Sequence, residues 1–127
     1  MMPEKFKAFS DTRGVLVPVE FGNLPFMPRR LFYVKDVPCG DWRGGHAHRT
    51  TRQFLICLKG LVQVVVHDGH AGNDCLLKPD EALLIGPMLW DSQQFLEKDS
   101  ILLVLCDMAF DEGDYIRDFN TFKATKR

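Results

Sequence analysis

The sequence has little net charge, no long hydrophobic run and no paired cysteines. Its 16 basic and 17 acidic residues leave a formal charge of -1, which produces no field that would gather nucleic acid or anionic membrane. No apolar stretch approaches the ~18 residues that a membrane span requires. The opening segment MMPEKFKAFS also lacks the apolar part of a signal peptide. We therefore expect a cytoplasmic protein with neither a nucleic-acid nor a membrane partner.

Cysteine is present, but never in the CxxC spacing that is typical of metal and redox sites. The cysteines are far apart, and three of them stand among apolar neighbours, where a thiol behaves as a small buried hydrophobe. We expect reduced core residues at Cys39, Cys57, Cys75 and Cys106. A chain of 127 residues is long enough for one compact domain and too short for two ordinary ones. The sequence therefore predicts a single domain over residues 1–127.

Short runs rich in valine, isoleucine, leucine and aromatic residues follow one another along most of the chain. Each run is closed by glycine, proline, asparagine or aspartate. Many short strands with frequent turns indicate an all-β protein, either an antiparallel sandwich or a small barrel. The segment VHDGH contains Asp68 and Gly69, a turn of the kind that closes a two-residue hairpin. The strands before and after it should pair.

The two ends of the chain differ from this pattern. In the C-terminal segment DEGDYIRDFNTFKATKR, large apolar residues recur at helical spacing, at Tyr115, Ile116, Phe119 and Phe122. Asp111 or Asp114 can cap the short helix that this spacing predicts. The N-terminal third is broken by Pro18, Pro25, Pro28 and Pro38, which fit edge strands or turns. That third either exchanges strands with a second copy of the chain or is an ordinary irregular edge.

The segment WRGGHAHRTTRQ, residues 42–53, carries the most specific pattern. Side chains alternate between the two faces of a strand, so His46 and His48 point the same way and Ala47 points the other way. Inside a small barrel, two such imidazoles serve either metal ligation or proton transfer. The alternative is a pair of ordinary strand histidines that bond to backbone or water. The two glycines before the pair, Gly44 and Gly45, either let a ligand approach the backbone closely or form a bulge or turn. Together with the arginines around the pair, they favour a functional site.

The spacing of this segment resembles the first signature of the cupin superfamily. Five residues separate Gly40 from His46, four separate His48 from Gln53, and six separate Gln53 from Gly60. In cupins the position of Gln53 is usually a glutamate that ligates a metal, and an amide is a poorer ligand for a divalent cation. The second signature normally adds a histidine, but IGPMLWDSQQF has none. The resemblance thus implies a small cupin jelly-roll barrel. The two departures from the signatures predict that it holds no metal or other cofactor.

Within the cupins, the chain is similar to the dTDP-sugar 3,4-ketoisomerases, which act on dTDP-4-keto-6-deoxyglucose. The matching segments occur in order along almost the whole chain: DTRGVLVPVE, LPFMPRRLFYV, RGGHAH, QFLICLKGLVQVVVHDG, GPMLW, LLVLCD and FDEGDYIRDFNTF. Such an enzyme moves a carbonyl from C4 to C3 of a dTDP-linked keto-deoxysugar through an enediol. The resemblance also implies a homodimer assembled through exchanged N-terminal strands.

The resemblance assigns the proposed base to His46, with His48 beside it to bond a sugar oxygen or to carry the hydroxyl proton. Family members often carry two adjacent tyrosines where this chain has Phe32 and Tyr33, and Tyr33 is included among the catalytic candidates. A nucleotide diphosphate needs forked cationic donors, for which Arg13 and Arg43 are the main candidates. Weaker candidates for the phosphates are Arg30 and Arg49, while Trp90 could stack on the thymine ring and Gln53 could contact the substrate.

This sequence departs from the family at Phe32, Asp91 and Phe110, where relatives tend to have tyrosine, histidine and tyrosine. Those changes concern the substrate, the stereochemistry at C4 and the retention of activity, and they leave two rival hypotheses open. One is a cupin that binds a nucleotide sugar without turnover. The other is a metal-dependent cupin that uses the two strand histidines and a third ligand such as His67 or His70, although both should lie outside the barrel.

Overall fold

A computed structural model describes residues 1–127, and almost all of its regular structure is β. Two five-stranded antiparallel sheets face each other, with the strand orders β1-β9-β6-β11-β4 and β12-β5-β10-β7-β8. The strands are β1 Glu4–Lys5, β2 Phe9–Asp11, β3 Gly14–Leu16, β4 Arg30–Val34, β5 Trp42–His48, β6 Gln53–Lys59, β7 Val62–His67, β8 Gly72–Leu77, β9 Glu81–Ile85, β10 Trp90–Phe95, β11 Ile101–Cys106 and β12 Tyr115–Ile116. One α-helix, α1, spans Phe119–Ala124, and short 3₁₀ turns occupy Phe21–Asn23 and Glu112–Asp114. None of the helices is long and apolar enough to cross a membrane. The predicted all-β fold with a short C-terminal helix is confirmed.

The core lies between the two sheets and is made by alternation along strands such as β7 and β10, whereas β6 is buried on both faces from Gln53 to Cys57. In β7, for example, Val62, Val64 and Val66 are buried while the residues between them are half-exposed. Each fully buried aliphatic side chain of this size contributes about 1.5–3 kcal/mol relative to an exposed one. Three of the four cysteines are buried free thiols, as expected, and Cys39 is exposed instead. Burial raises the pKa of Cys57 to about 11, which keeps that thiol protonated.

The hairpin around Asp68 has the predicted pairing, with its turn one residue later than expected. β7 and β8 pair antiparallel, with His67 opposite Gly72, so residues 68–71 form the connection. Asp68 Oδ1 accepts the backbone N–H groups of His70 and Ala71, at 2.7 and 2.8 Å. The backbone hydrogen bond from Asp68 N–H to Ala71 O, at 3.1 Å, closes the turn over Gly69 and His70, so the two-residue closure is present but is centred one position later than Asp68 and Gly69.

The C-terminal segment is helical only in its last part. Tyr115 and Ile116 form β12, which pairs with β5 at the edge of the second sheet. α1 starts after Asp118, whose carboxylate accepts from the N–H and hydroxyl of Thr121 at 2.9 and 2.8 Å. The spacing of apolar residues fitted a longer helix, but pairing with the sheet edge overrides that local pattern. Asp118 therefore caps the α-helix in place of the expected Asp111 or Asp114, while Asp111 caps the 3₁₀ turn by accepting from the Gly113 N–H at 3.0 Å.

The N-terminal third contributes one short strand to the barrel and a separate hairpin. β1 pairs with β9 at one edge of the first sheet. β2 and β3 pair only with each other, and all their residues are exposed. The hairpin therefore lies outside both five-stranded sheets.

Candidate active site

A small cavity of about 90 Å³ opens between the two sheets. Polar side chains line one part of it and apolar side chains line the rest: Phe32, Val34, Arg43, Gly44, His46, Gln53, Leu55, Gln93, Leu102 and Val104. Larger grooves of about 400 and 430 Å³ lie along the N-terminal strands, but no histidine lines them. The small cavity inside the barrel, which is lined by a histidine, is therefore the candidate active site.

A β-bulge in β5 presents the histidine pair to this cavity. Asp91 of β10 lies opposite His46 and Ser92 lies opposite Gly44, so Gly45 has no partner across the strands. Both glycines have positive φ, +82° and +78°, which residues with a side chain rarely adopt. A Cβ at Gly44 would also come within 2.9 Å of the Gln93 side chain. The glycines thus serve the bulge, which was one of their two predicted uses.

His46 lies at the cavity with its ring free of protein hydrogen bonds. Its centroid is 5.1 Å from that of His48 and 5.0 Å from that of Tyr115, both in edge-to-face geometry. Burial, together with the nearby His48 and Arg117, lowers the pKa of His46 to about 4, and Glu112 opposes this shift. At neutral pH the ring is therefore an uncharged imidazole with a free lone pair.

His48 is buried and held by Asp114. Its Nδ1 lies 2.9 Å from Asp114 Oδ2. Burial alone would raise the pKa of Asp114, but hydrogen bonds from Thr51, Thr50 and His48 outweigh it and hold that pKa well below its usual range. Because the carboxylate can only accept, Nδ1 carries the hydrogen and Nε2 is left as an acceptor. That Nε2 is buried without a partner.

Three further hydrogen bonds hold the Asp114 carboxylate in place. Thr50 donates its backbone N–H and hydroxyl to Oδ1, at 2.8 and 2.7 Å, and the Thr51 hydroxyl donates to Oδ2 at 2.6 Å. Thr50 and Thr51 lie between β5 and β6. Their hydrogen bonds therefore connect the turn after the histidine pair to Asp114, the last residue of the second 3₁₀ turn. The orientation of the His48 ring depends on this network.

Tyr115 covers the histidine pair, and sequence reasoning placed it in a helix instead. Its ring centroid is 4.3 Å from that of His48, and Arg30 Nη1 donates to its hydroxyl at 3.3 Å. The Arg117 guanidinium lies 4.2 Å from the Tyr115 ring centroid and pairs with Glu112. The only sequence signal for this role was the segment FDEGDYIRDFNTF, which belongs to the family pattern.

The structure brings four of the predicted site residues to the cavity and a fifth close to it. Arg43, His46 and Gln53 line the cavity, and His48 is adjacent to His46. Gln53 is buried with its Nε2 facing Cys106 Sγ at 3.9 Å. Arg30 is next to Tyr115 and lies over the rings of Phe32 and Phe110, at 4.7 and 5.0 Å.

Three other predicted site residues lie elsewhere in the protomer. Tyr33 is 59% exposed because Phe32 takes the inward position of β4. Trp90 packs against the helix rings of Phe119 and Phe122 at 5.3 and 5.8 Å and does not line the cavity. Arg13 is exposed on the hairpin and pairs with Asp11 at 2.6 Å. Their predicted roles in catalysis and binding are not supported by these positions.

The donor set at the cavity does not fit a divalent cation. His48 has one nitrogen committed to Asp114, and the glutamate position holds the amide of Gln53. No group of at least three His, Cys, Asp or Glu side chains is arranged to hold a metal ion. His67 packs against Phe119 at a centroid distance of 5.1 Å, and His70 is exposed, so neither can complete a site with His46.

The barrel, with paired imidazoles between its sheets, defines the class of cupin-like sugar isomerases. The chain belongs to the family described as FdtA (WxcM-like, C-terminal), whose model matches residues 2–127. The resemblance found in the sequence is thereby confirmed.

Relatives of known activity support this membership. The chain is 37% identical over 120 residues to a TDP-4-oxo-6-deoxy-alpha-D-glucose-3,4-oxoisomerase of Aneurinibacillus thermoaerophilus, covering 93% of this chain and 86% of that one. It is 33% identical to QdtA, a sugar 3,4-ketoisomerase of Thermoanaerobacterium thermosaccharolyticum in complex with TDP, with a TM-score of 0.88 and coverage of 95% and 90%. It is 32% identical to a 3,4-ketoisomerase of Helicobacter canadensis, with a TM-score of 0.88 and coverage of 95% and 92%.

Proposed function

We propose that this chain is a sugar 3,4-ketoisomerase that acts on a dTDP-linked 4-keto-6-deoxyhexose, with His46 as the base. The relatives confirm the enzyme class expected from the sequence. The observation that supports the role of His46 is its neutral, unpartnered imidazole at the cavity, beside a second imidazole held by a carboxylate. A ketoisomerase needs a base of this kind and a polar site for the reacting oxygens.

The different hydrogen-bonding states of His46 and His48 suit them to different roles in the reaction. His46 takes the proton from C3, and the electron pair forms the C3–C4 double bond of an enediol as the C4 oxygen gains a proton. Protonation of C4 and loss of the C3 hydroxyl proton then leave the carbonyl at C3. Nε2 of His48 is a buried acceptor without a donor, and a sugar hydroxyl would supply that donor.

The direct test incubates the chelator-treated protein with dTDP-4-keto-6-deoxyglucose in D₂O and follows the sugar by NMR. We expect the 3-keto product, with solvent deuterium at C4, because the proton that reaches C4 exchanges with solvent. Binding of dTDP without any exchange would contradict the proposal and favour a non-catalytic binding protein. Activity that returns only with added Fe²⁺ or Zn²⁺ would contradict it in favour of a metal enzyme.

Of the arginines proposed to bind the diphosphate, Arg43 is the one that lines the cavity. The cavity volume of about 90 Å³ is well below the ~300–1,000 Å³ of pockets that enclose a ligand of drug size, so the nucleotide must lie outside it. We expect Arg43→Met to raise KM for the dTDP-sugar about 10- to 100-fold, from the loss of a charge-assisted phosphate contact worth ~1.5–3 kcal/mol. Steady-state kinetics measure this, and kcat should change less.

Arg127→Met is the matched control for Arg43, because it removes a guanidinium from an exposed position at the other end of the fold. Its KM should equal that of the unmodified protein. An unchanged KM in Arg43→Met would remove this residue from phosphate binding.

We also propose that the chain is a homodimer in which the N-terminal strands pack against, or exchange with, a second copy. The free β2–β3 hairpin exposes Phe9, Val15 and Leu16, at 51%, 64% and 64%. The outer face of β4 exposes Leu31 and Tyr33. Large apolar side chains grouped in this way mark an interface, and a second copy supplies the same apolar surface in return.

Size-exclusion chromatography with light scattering tests the dimer. We expect Leu31→Glu to give a monomer, because it places a charge in the buried interface. Leu76→Glu is the control, since Leu76 is also exposed, on the other sheet at β8, and should leave the dimer intact. A monomeric parent protein, or a Leu31→Glu variant that stays dimeric, would contradict the proposal.

A further inference from the structure

Asp91 is a buried acid that the mechanism above does not use. It is 1% exposed, and its Oδ2 has no hydrogen-bond partner. The other oxygen accepts from the side chain of Gln93, two residues further along β10. A buried carboxyl oxygen without a hydrogen-bond partner lowers the stability of the fold, and its presence inside the barrel therefore indicates a function.

The sheet register places this carboxyl beside the proposed base. Asp91 lies directly opposite His46 in the antiparallel pairing of β10 with β5, and opposite Val66 on the other side. Directly opposite residues share a face and have Cβ atoms about 4.5–5.5 Å apart. The two side chains form no direct hydrogen bond, so the carboxyl acts on the imidazole across the space between them or through one water.

The other groups near His46 give it no compensating negative charge of this kind. His48 and Arg117 disfavour its cationic form, and only Glu112, which is exposed and bound to Arg117, favours it. Arg43 also lines the cavity, whereas Gln53 and Gln93 carry no charge. Asp114 is committed to His48 and the two threonines. Asp91 is therefore the one buried acid available to His46.

We infer that Asp91 is a positioning residue that acts through His46, supplying the negative charge that stabilises the imidazolium formed when His46 takes the C3 proton. The inference rests on the proposed function of His46 as the base. The proton moves from C3 to His46, and the carboxylate neither gains nor loses one in that step. The pair ends the step as a neutral imidazolium–carboxylate couple, which a buried site tolerates better than a lone cation.

The two groups then titrate together. Burial raises the pKa of Asp91 to about 7, and its hydrogen bond from Gln93 offsets only part of that effect. Alone, His46 has a pKa of about 4. The working state has a neutral His46 and an ionised Asp91, so kcat/KM should rise with pH through about 7, the upper step of the pair.

The variant Asp91→Asn keeps the shape and the acceptor for Gln93 but cannot ionise. We expect its maximal kcat/KM to fall about 10- to 100-fold, the usual effect of removing a group that supports a catalytic histidine. The rise near pH 7 should disappear, which leaves the profile flat down to about pH 4, where His46 itself becomes protonated. Asp91→Ser is smaller and gives the same test if the asparagine variant does not fold.

NMR titration of the His46 ring gives a readout that does not depend on turnover. In the parent protein its resonances should shift near pH 7 as Asp91 ionises, and in Asp91→Asn only near pH 4. Asp74→Asn is the matched control, because exposed Asp74 also accepts from a glutamine on the adjacent strand, at 3.2 Å. It should behave as the parent.

The outcomes separate the two proposals. No turnover in the parent protein would refute the proposed function, while the His46 titration would still show whether the pair is coupled. A His46 shift near pH 7 that persists in Asp91→Asn would overturn the inference. So would a parent profile that falls above pH 7, because Asp91 would then act as a proton donor.

Discussion

Replacing His46 by asparagine should reduce deuterium incorporation at C4 by about 10²–10⁴-fold, the usual contribution of a general base. Asparagine occupies similar space at the cavity and keeps polar atoms there, but its amide has no basic lone pair. In the parent protein burial keeps the imidazole neutral above a pKa of about 4, so the base is available throughout the physiological pH range. The rate is measured by NMR under saturating substrate.

His70→Asn is the matched control for this loss, because His70 is an exposed histidine in the β7–β8 turn. It should exchange deuterium at the parent rate. Binding of dTDP by His46→Asn, measured by calorimetry, should stay close to that of the parent, which shows that the loss is chemical. Unchanged turnover in His46→Asn would remove His46 as the base and with it the proposed mechanism.

The sequence was sufficient to predict the part of the site that depends on local alternation. His46 and His48 share a face because every strand alternates, and this holds whatever the strand pairs with. The positive φ of Gly44 and Gly45 likewise belongs to one segment, where glycine signalled a bulge. The family resemblance added the barrel fold, which the strand pattern alone left open between a sandwich and a barrel.

Positions that depend on the packing of distant elements were missed. Tyr115 and Asp114 reach the histidine pair because β12 pairs with β5, 67 positions away in sequence at its Tyr115–His48 match. The helical spacing in that segment gave no sign of this pairing. Similarly, alternation shows that Trp90 and Asp91 face opposite ways, but only the docking of α1 over the barrel shows which of them points inward.

The protonation of Asp114 links the stability of the fold to the site. Its folded pKa lies below the ordinary value of 3.8. A carboxyl whose pKa is depressed by folding contributes stability that is present above its unfolded pKa and is lost as pH falls through the folded one. The contribution of Asp114 is therefore complete at neutral pH, where the enzyme would work, and fades only in strong acid.

Removal of the Asp114 carboxylate should have the largest effect on stability of any single change near the cavity. Asp114→Ala leaves the donors of His48 and Thr51 buried without an acceptor and also removes the half-buried hydrogen bonds from Thr50. Breaking such a buried charged network costs about 3–5 kcal/mol, which urea denaturation measures at neutral pH. The difference from the parent should shrink in strong acid, where the parent carboxylate is itself protonated.

Asp114→Asn separates the chemistry from the stability. An amide presents N–H groups where the carboxylate accepted, so His48 can no longer donate from Nδ1 on that side and its hydrogen moves to Nε2. The buried acceptor of the proposed mechanism is lost, and we expect kcat to fall by about 10²–10⁴-fold, as when the carboxylate behind a catalytic histidine becomes an amide. NMR of the ring nitrogens reports the change of tautomer directly.

Asp118→Asn is the matched control, since Asp118 also accepts the N–H and hydroxyl of a threonine, but as the exposed cap of α1. It should cost no more than about 1–2 kcal/mol and leave kcat unchanged. If Asp114→Asn keeps the Nδ1–H tautomer of His48 and full activity, the carboxylate serves only the fold. In that case the turn after β5, and not the charge on Asp114, orients the second imidazole.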